Sequence, residues 1–319
     1  MSNFTFLTED QVFGKNRLKI FEEYGTESVI TDFSILLGGG VSSNVYTREG
    51  RTLKDRTGWW WTQSRITDTC SKVITVSVEQ FCDYVMDYFA GARPAIPYIA
   101  ISSFCSNPVM NKSGTLEVEY GEYPQTVVSE EESKILEKGY FNRTLGQTGE
   151  SYTTDSERKY DVRRPFKERK HIEYCYKGEK YVRIESGVND NGRSLSDGRK
   201  VESGIPYWVR VEPITWLVDE KTGIALSKKI LFSGVQFNHG LYDGDFYKTD
   251  IKQFMDTYFS KEIVSNMPMN ITPEEMKQIE EKTKQFEEKR KNRYGFNFKE
   301  VAEEDIIRGA IESGVAVFL

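Results

Sequence analysis

Cysteine and histidine are the residue types in this chain that could hold a metal ion or attack a substrate. They occur at Cys70, Cys82, Cys105, Cys175, His171 and His239. A structural zinc site normally contains at least one close pair of ligands such as C-x-x-C, and the chain has no such pair. We therefore predict no metal and no other cofactor, and we interpret the cysteines as reduced thiols of a cytoplasmic protein.

The sequence also lacks the short motifs that organise common catalytic sites. It contains no G-x-S-x-G nucleophile elbow, no H-E-x-x-H zinc helix and no G-x-G-x-x-G dinucleotide loop. A G-G-G run at 38–40 is followed by V-S-S-N, which has no phosphate-binding lysine. We predict a flexible turn there, and we expect a binding protein more than an enzyme.

A binding surface is suggested by an aromatic run and by two polar loops. Three tryptophans stand at 59–61, and in a strand the middle one faces away from its neighbours. The candidate loops are 38–57 and 189–199, and loops on a stable sheet often carry binding residues. The candidate binding residues are Trp60, Arg65, Asn189, Asp190 and Arg193. The alternative is that Trp60 packs in the core and that N-D-N-G (189–192) is only a turn, and no ligand set for calcium accompanies that run.

Composition excludes several classes of partner. The chain has 319 residues, is 38% hydrophobic and carries a net charge of -6 with a pI near 5.4. This balance predicts no nucleic-acid partner, and the locally basic stretch at 155–171 is interspersed with acids. No apolar run is long enough for a membrane span, and the N-terminus does not resemble a signal peptide.

Hydrophobic periodicity predicts the elements that would position these residues. Alternating apolar residues predict strands at 116–125 and 206–219, with Pro213 marking a bulge or an edge. A turn at E-K-T-G leads into 224–227, which predicts a hairpin. Helical spacing predicts an amphipathic helix at 249–259. Its apolar face would comprise Ile251, Phe254, Met255 and Tyr258.

Several fragments together resemble a bacterial domain-of-unknown-function family related to C-type-lectin-like and sulfatase-modifying-factor domains. The fragments are F-L-T-E-D-Q (6–11), G-W-W-W-T-Q-S (58–64), G-A-R-P-A-I (91–96), G-E-Y-P-Q (121–125), V-E-P-I-T-W-L-V (211–218) and A-L-S-K-K-I-L (225–231). The resemblance implies an α+β fold, with a C-type-lectin-like, mixed but mainly antiparallel sheet and flanking helices. In the family the tryptophan strand belongs to the core beside the Arg-Pro-Ala segment.

The order of these fragments differs from that of the family. The late family motifs come first here, which indicates either a circular permutation or a domain built from halves of two copies. We predict one domain at 1–265 made of the halves 1–105 and 115–265, because half a sheet would leave exposed edges.

The C-terminal residues have a different character. Residues 266–300 predict a charged helical linker, which begins at T-P-E-E (272–275). Residues 301–319 resemble the helix and strand that precede the phosphate loop of MoxR-like AAA+ ATPases. The sequence ends at Leu319 before any such loop, so we predict no ATP hydrolysis by that mechanism.

The function expected from these features is a non-catalytic binding or substrate-recruiting module, N-terminal to an AAA+ ATPase-type motor, with a protein partner. One alternative is a metal-dependent enzyme of the sulfatase-modifying kind, using Cys70, Cys82 and Cys105. Another is a phage or mobile-element protein that binds a host protein or a carbohydrate. The sequence does not fix the oligomeric state.

Overall fold

The computed structural model describes the greater part of the predicted domain. The described residues are 3–43, 46–48, 51–53, 56–74, 80–85, 90–111, 115–141, 173–186, 194–260 and 263. They belong to a unit of chain that spans Met1–Met267. The predicted linker at 266–300 and the predicted ATPase-like segment at 301–319 lie outside the described residues.

The described helices are short, and most begin at a side-chain cap. They are α1 (Glu9–Phe13), α2 (Ile20–Tyr24), α3 (Asp32–Leu36), α4 (Glu130–Phe141) and α5 (Asp250–Phe254). Thr8, Thr31 and Thr249 each accept a hydrogen bond from the backbone N–H three residues later, which satisfies a free donor of the first turn. None of the described helices is long and apolar enough to cross a membrane.

The strands form a set of mainly antiparallel sheets. The strands of the first half are β1 (Ser28–Ile30), β2 (Val41–Ser43), β3 (Tyr46–Arg48), β4 (Arg51–Leu53), β5 (Thr57–Gly58), β6 (Trp60–Arg65), β7 (Cys70–Ile74), β8 (Gln80–Tyr84) and β9 (Ala95–Pro97). Those that follow are β10 (Ser106–Met110), β11 (Leu116–Val127), β12 (Glu173–Tyr176), β13 (Glu179–Glu185), β14 (Pro206–Asp219), β15 (Ile224–Ser227) and β16 (Lys229–Ile230). Together with the helices they make an α+β protein, as predicted.

The largest sheet is built around the long strand β14. Its order is β10-β11-β14-β13-β12, and β15 joins β14 to β9. The pairing of β11 with β14 shifts register between Glu119 and Glu122, opposite Pro213, so the predicted irregularity at Pro213 is confirmed. The β14–β15 hairpin turns at Gly223, whose φ of 68° favours glycine.

Strands from the two halves of the chain hydrogen-bond to one another. A second sheet has the order β16-β1-β5-β2, and its β1–β16 pair is parallel. In the largest sheet, β9 of the first half pairs with β15 of the second. The three strands β6-β7-β8 form a third sheet, and β3 and β4 form a separate hairpin.

The G-G-G run follows α3 and leads into β2, and it is not a flexible surface turn. Gly38, Gly39 and Gly40 are all buried. A Cβ on Gly39 would lie 2.5 Å from the Ser233 hydroxyl oxygen and 2.7 Å from Ile30 Cδ1. The prediction of flexibility is therefore wrong, because glycine is needed here for close packing rather than for mobility.

Helix α4 covers a small core of its own, separate from the main one. Leu136 of the helix packs there with Val128, Tyr174, Tyr181 and Trp208. Glu137 of α4 accepts hydrogen bonds from Arg183 (Nη2–Oε1, 2.7 Å) and from the Trp208 indole (2.7 Å). Burial raises the pKa of Glu137, but the hydrogen bonds from Arg183 and Trp208 and the charge of Arg183 together lower it by more, so its pKa lies below the ordinary value.

We expect the Glu137→Gln variant to be less stable than the wild type at neutral pH, by roughly 1 to 2 kcal/mol, because a charged acceptor is lost. A carboxyl group whose pKa is lowered by folding contributes stability above its unfolded pKa of about 4.3, and loses it as pH falls through the folded pKa. The difference between the two proteins should therefore shrink below about pH 4. Urea unfolding at a series of pH values from neutral to acidic measures the difference in free energy of unfolding between the two proteins. The exposed Glu220→Gln is the control, and a constant difference across this range would contradict the assignment.

Candidate functional site

Trp60 lies in the protein core. Its side chain is fully buried, its indole N–H donates to the Thr26 carbonyl (3.0 Å), and its ring stacks on Phe21 with centroids 6.4 Å apart. Trp61 on the other side of β6 is also fully buried, and Trp59 is half-buried. The candidate role of Trp60 at a binding surface is therefore wrong, and the alternative that Trp60 packs in the core is confirmed, because β6 is covered on both faces.

A buried arginine lies beside Trp60. The Arg93 guanidinium carbon is 5.1 Å from the Trp60 ring centroid, and Arg93 Nε donates to the Ser227 carbonyl (2.9 Å). Burial lowers the pKa of Arg93 to about 9, and the charge of Glu27 opposes this shift. The side chain remains a cation at neutral pH and connects the two halves of the chain. Sequence reasoning recognised G-A-R-P-A-I only as a family motif and gave Arg93 no role of its own.

Arg65, at the other end of β6, is exposed. It lies five positions along the chain from Trp60, beyond an irregularity in β6, and it is exposed where Trp60 is fully buried, so the two do not form one site. Its side chain instead lies against a second loop, where a Cβ on Gly244 would be 3.5 Å from Arg65 Cδ. Arg65 therefore lies at the surface as predicted, but its neighbour there is Gly244 and not Trp60.

That second loop, 241–248, is fastened to the β6–β7 hairpin by Tyr242. The Tyr242 side chain is buried, its hydroxyl donates to the Gln63 carbonyl (2.7 Å), and its backbone N–H donates to the Asp68 carbonyl (2.6 Å). Burial raises the pKa of Tyr242 to about 12, so the hydroxyl keeps its proton at neutral pH. Tyr242 therefore fixes the loop against the hairpin.

Two aspartates hold the shape of the loop from within. Asp243 Oδ1 accepts from the Asp245 backbone N–H (2.8 Å), and Asp245 Oδ1 accepts from the Tyr247 backbone N–H (3.1 Å). Lys248 Nζ lies 3.4 Å from Asp243 and 3.1 Å from Asp245. The pKa of Asp243 is lowered, mainly by the Asp245 N–H and further by Lys248 and Arg65. The loop is thus a set of short turns held by the two aspartate side chains.

Large apolar side chains project into solvent from the 241–248 loop and from the turn of the β6–β7 hairpin. Leu241 is 68% exposed, Tyr247 is 67% exposed, and Ile66 at the hairpin tip is exposed as well. We call the group the hairpin surface, and it comprises Arg65, Ile66, Leu241, Asp243, Tyr247 and Lys248. Sequence reasoning missed it, although N-H-G-L-Y-D-G-D-F-Y-K (238–248) combines turn residues with aromatics.

The other predicted residues, Asn189, Asp190 and Arg193, lie outside the described residues. The described part of their loop is held in place by Asp32, whose carboxylate accepts from the Ser196 backbone N–H (2.7 Å) and from the Ser196 hydroxyl. The same carboxylate accepts from the Val127 N–H at the end of β11 (2.9 Å).

Arg56 at the end of the other predicted loop donates to the Ser194 carbonyl (3.2 Å). The prediction of a loop at 38–57 is wrong, because this segment contains the strands β2, β3 and β4 and the first residue of β5. It contacts the described part of the 189–199 loop through Arg56 and Ser194, and Trp60 is not part of that contact.

The described side chains give no support to cysteine or metal chemistry. Cys70 and Cys105 are free thiols. Burial raises the pKa of Cys105 to about 11, and its Sγ donates to the Ile101 carbonyl (3.2 Å), so at neutral pH it is not the thiolate that attacks substrates or binds metals. Among the described residues there is no group of three or more His, Cys, Asp or Glu side chains placed to hold a metal ion.

Comparison with known proteins finds no matching family model, no matching curated protein and no matching solved structure.

Proposed function

We propose that this protein is a non-catalytic binding module that engages a protein partner through the hairpin surface. The observation that supports the proposal is the exposure of Leu241 and Tyr247 on a loop that Tyr242 fixes in place and whose Gly244 lies against the Arg65 side chain. Tyrosine and arginine are enriched among the residues that dominate binding energy at protein interfaces. Because both loops are already ordered, little conformational entropy is lost when a partner binds.

The surrounding architecture fits the same role. We propose that the mainly antiparallel sheets form a C-type-lectin-like scaffold whose halves stand in permuted order. The pairing of β9 with β15 and of β1 with β16 supports this arrangement, because each pair joins the two halves. In such a scaffold loops vary while the sheet holds them in position, which suits partner recognition.

The wider setting rests on sequence resemblance. We propose that the module acts in the bacterial cytoplasm and recruits a substrate protein to an AAA+ ATPase-type motor. The supporting features are the charged stretch at 266–300 and the segment at 301–319 that resembles the start of such a motor.

Replacing both Leu241 and Tyr247 by alanine is expected to weaken partner binding by about 100-fold, because each truncation of an interface anchor removes more than about 1 kcal/mol. The partner is identified first, by photo-crosslinking in a bacterial lysate with p-benzoylphenylalanine in place of Tyr247. The affinity of the captured protein for each variant is then measured by calorimetry, and the melting temperature should change by no more than a few degrees.

The matched control replaces Ile135 and Ile205, two exposed apolar side chains outside the hairpin surface, by alanine. This variant should bind like the wild type. Equal loss of binding in both double variants, or none in either, would refute the hairpin surface as the binding site.

A further inference from the structure

A lysine is buried beside the hairpin surface. Lys252 of α5 is only 1% exposed, and lysine is seldom fully buried unless it is paired. Its partner is Asp256, one turn further along the helix, whose carboxylate accepts from Lys252 Nζ. An apolar residue could fill a buried position of this kind without the cost of desolvating a charge. The presence of a lysine here therefore points to a role beyond packing.

The Lys252 ammonium lies against the ring of Tyr247. Its Nζ is 5.7 Å from the ring centroid, within the roughly 6 Å of a cation–π contact. The Tyr247 ring also packs against the ring of Phe246, at an interplanar angle of 67° and with centroids 6.1 Å apart, and Phe246 is buried. The ring is thus held by a cation and by a core aromatic residue, while Tyr247 remains 67% exposed.

The position of the ammonium is fixed by the start of α5 and by the turn that follows it. Thr249 caps the helix, and its hydroxyl accepts from the Lys252 backbone N–H (3.3 Å). The helix then widens into a π-helical turn, Met255–Phe259, which contains Asp256. Turns of this kind are rare and occur frequently at functional sites. Lys252 is therefore held both at its backbone and at its ammonium, and it offers the Tyr247 ring a stationary contact.

We propose that Lys252 is a positioning residue whose ammonium holds the Tyr247 ring in the orientation that a protein partner contacts. This inference rests on the proposed function, in which Tyr247 is an anchor of the hairpin surface. A side chain that is restrained before binding loses less rotamer freedom when the partner binds, so the contact with the ammonium increases affinity. Because Lys252 is buried, it acts through Tyr247 and not by touching the partner.

The mobility of the Tyr247 ring tests the proposal without any partner. 3-Fluorotyrosine is placed at position 247 of the full-length protein, and fluorine-19 relaxation reports how freely the ring moves. The test variant replaces Lys252 by methionine and Asp256 by asparagine together, so that neither charge of the pair is left without its partner. Its ring should move more freely than in the wild type and give a narrower fluorine line.

Asp256→Asn alone is the matched control, because it keeps the ammonium and one acceptor oxygen for it. Its ring should be as restrained as in the wild type, and circular dichroism checks the fold of every variant. Lys252→Gln combined with Asp256→Asn is a second test variant, in case methionine disturbs the packing. A restrained ring in a folded double variant, an equally mobile ring in Asp256→Asn, or unfolding of both double variants would overturn the proposal.

Affinity distinguishes this inference from the proposed function. The probe is the protein captured by photo-crosslinking at position 247. Calorimetry should show that it binds the double variant roughly 3- to 30-fold more weakly than Asp256→Asn, the range that a cation–π contact allows. Equal affinities would overturn the role of Lys252 in binding. Failure of the proposed function would instead appear as unchanged binding of the Leu241 and Tyr247 alanine variant, whatever the mobility of the ring.

Discussion

Trp60→Ala is expected to destabilise the protein by about 3 to 5 kcal/mol, the range observed for truncation of large buried aromatic residues. The fully buried indole contacts Phe21 and Arg93 and donates to the Thr26 carbonyl. Its removal opens a cavity, leaves that carbonyl without its donor and exposes one face of a buried guanidinium. The free energy of unfolding from urea denaturation, followed by circular dichroism, measures the effect.

Tyr247→Ala serves as the control, because its side chain is 67% exposed. Its effect on the free energy of unfolding should stay within about 0.5 kcal/mol. A Trp60→Ala protein that lost less than about 1 kcal/mol would place the indole outside the core.

Asp32→Ala is expected to have the second largest effect, a loss of about 3 kcal/mol. The Asp32 carboxylate is buried and accepts from two backbone N–H groups, those of Val127 and Ser196, and from the Ser196 hydroxyl. Alanine leaves these buried donors without their acceptor, and buried donors without partners are costly. Asp32→Asn should recover part of the loss, since one amide oxygen can still accept.

Urea unfolding ranks these variants, and amide hydrogen exchange localises the change. Exchange at Val127 and Ser196 should accelerate in Asp32→Ala more than exchange in β7. The exposed Glu202→Ala is the control. If Asp32→Ala and Glu202→Ala were equally stable, the carboxylate would have no structural role.

Elements with strong local signals could be predicted from the sequence. The alternation in β11 and β14 and the hairpin into β15 are confirmed, because each depends on residues close in the chain. The predicted helix at 249–259 is also confirmed. Its first part is α5, which continues as a π-helical turn (Met255–Phe259).

Features that depend on distant residues could not be predicted in this way. Which tryptophan of the run would be buried depends on packing against Phe21 and Arg93, and neither contact is visible in a local pattern. The need for glycine at Gly39 arises from Ser233, far along the chain.

The hairpin surface escaped prediction for the same reason. Tyr242 fixes its loop by bonding to Gln63, which lies 179 residues away in the sequence. Nothing in the neighbourhood of either residue signals that contact.

The pairing of β1 with β16 has a consequence for synthesis on the ribosome. The Thr31 hydroxyl donates to the Leu231 carbonyl across a separation of 200 residues. At elongation rates of about 5 to 20 residues per second the ribosome takes about 10 to 40 s to make that length of chain. During this interval the nascent first half carries Trp60 and its other core residues without the later strands of the fold, so we expect it to expose apolar surface of the kind that chaperones bind until β16 emerges.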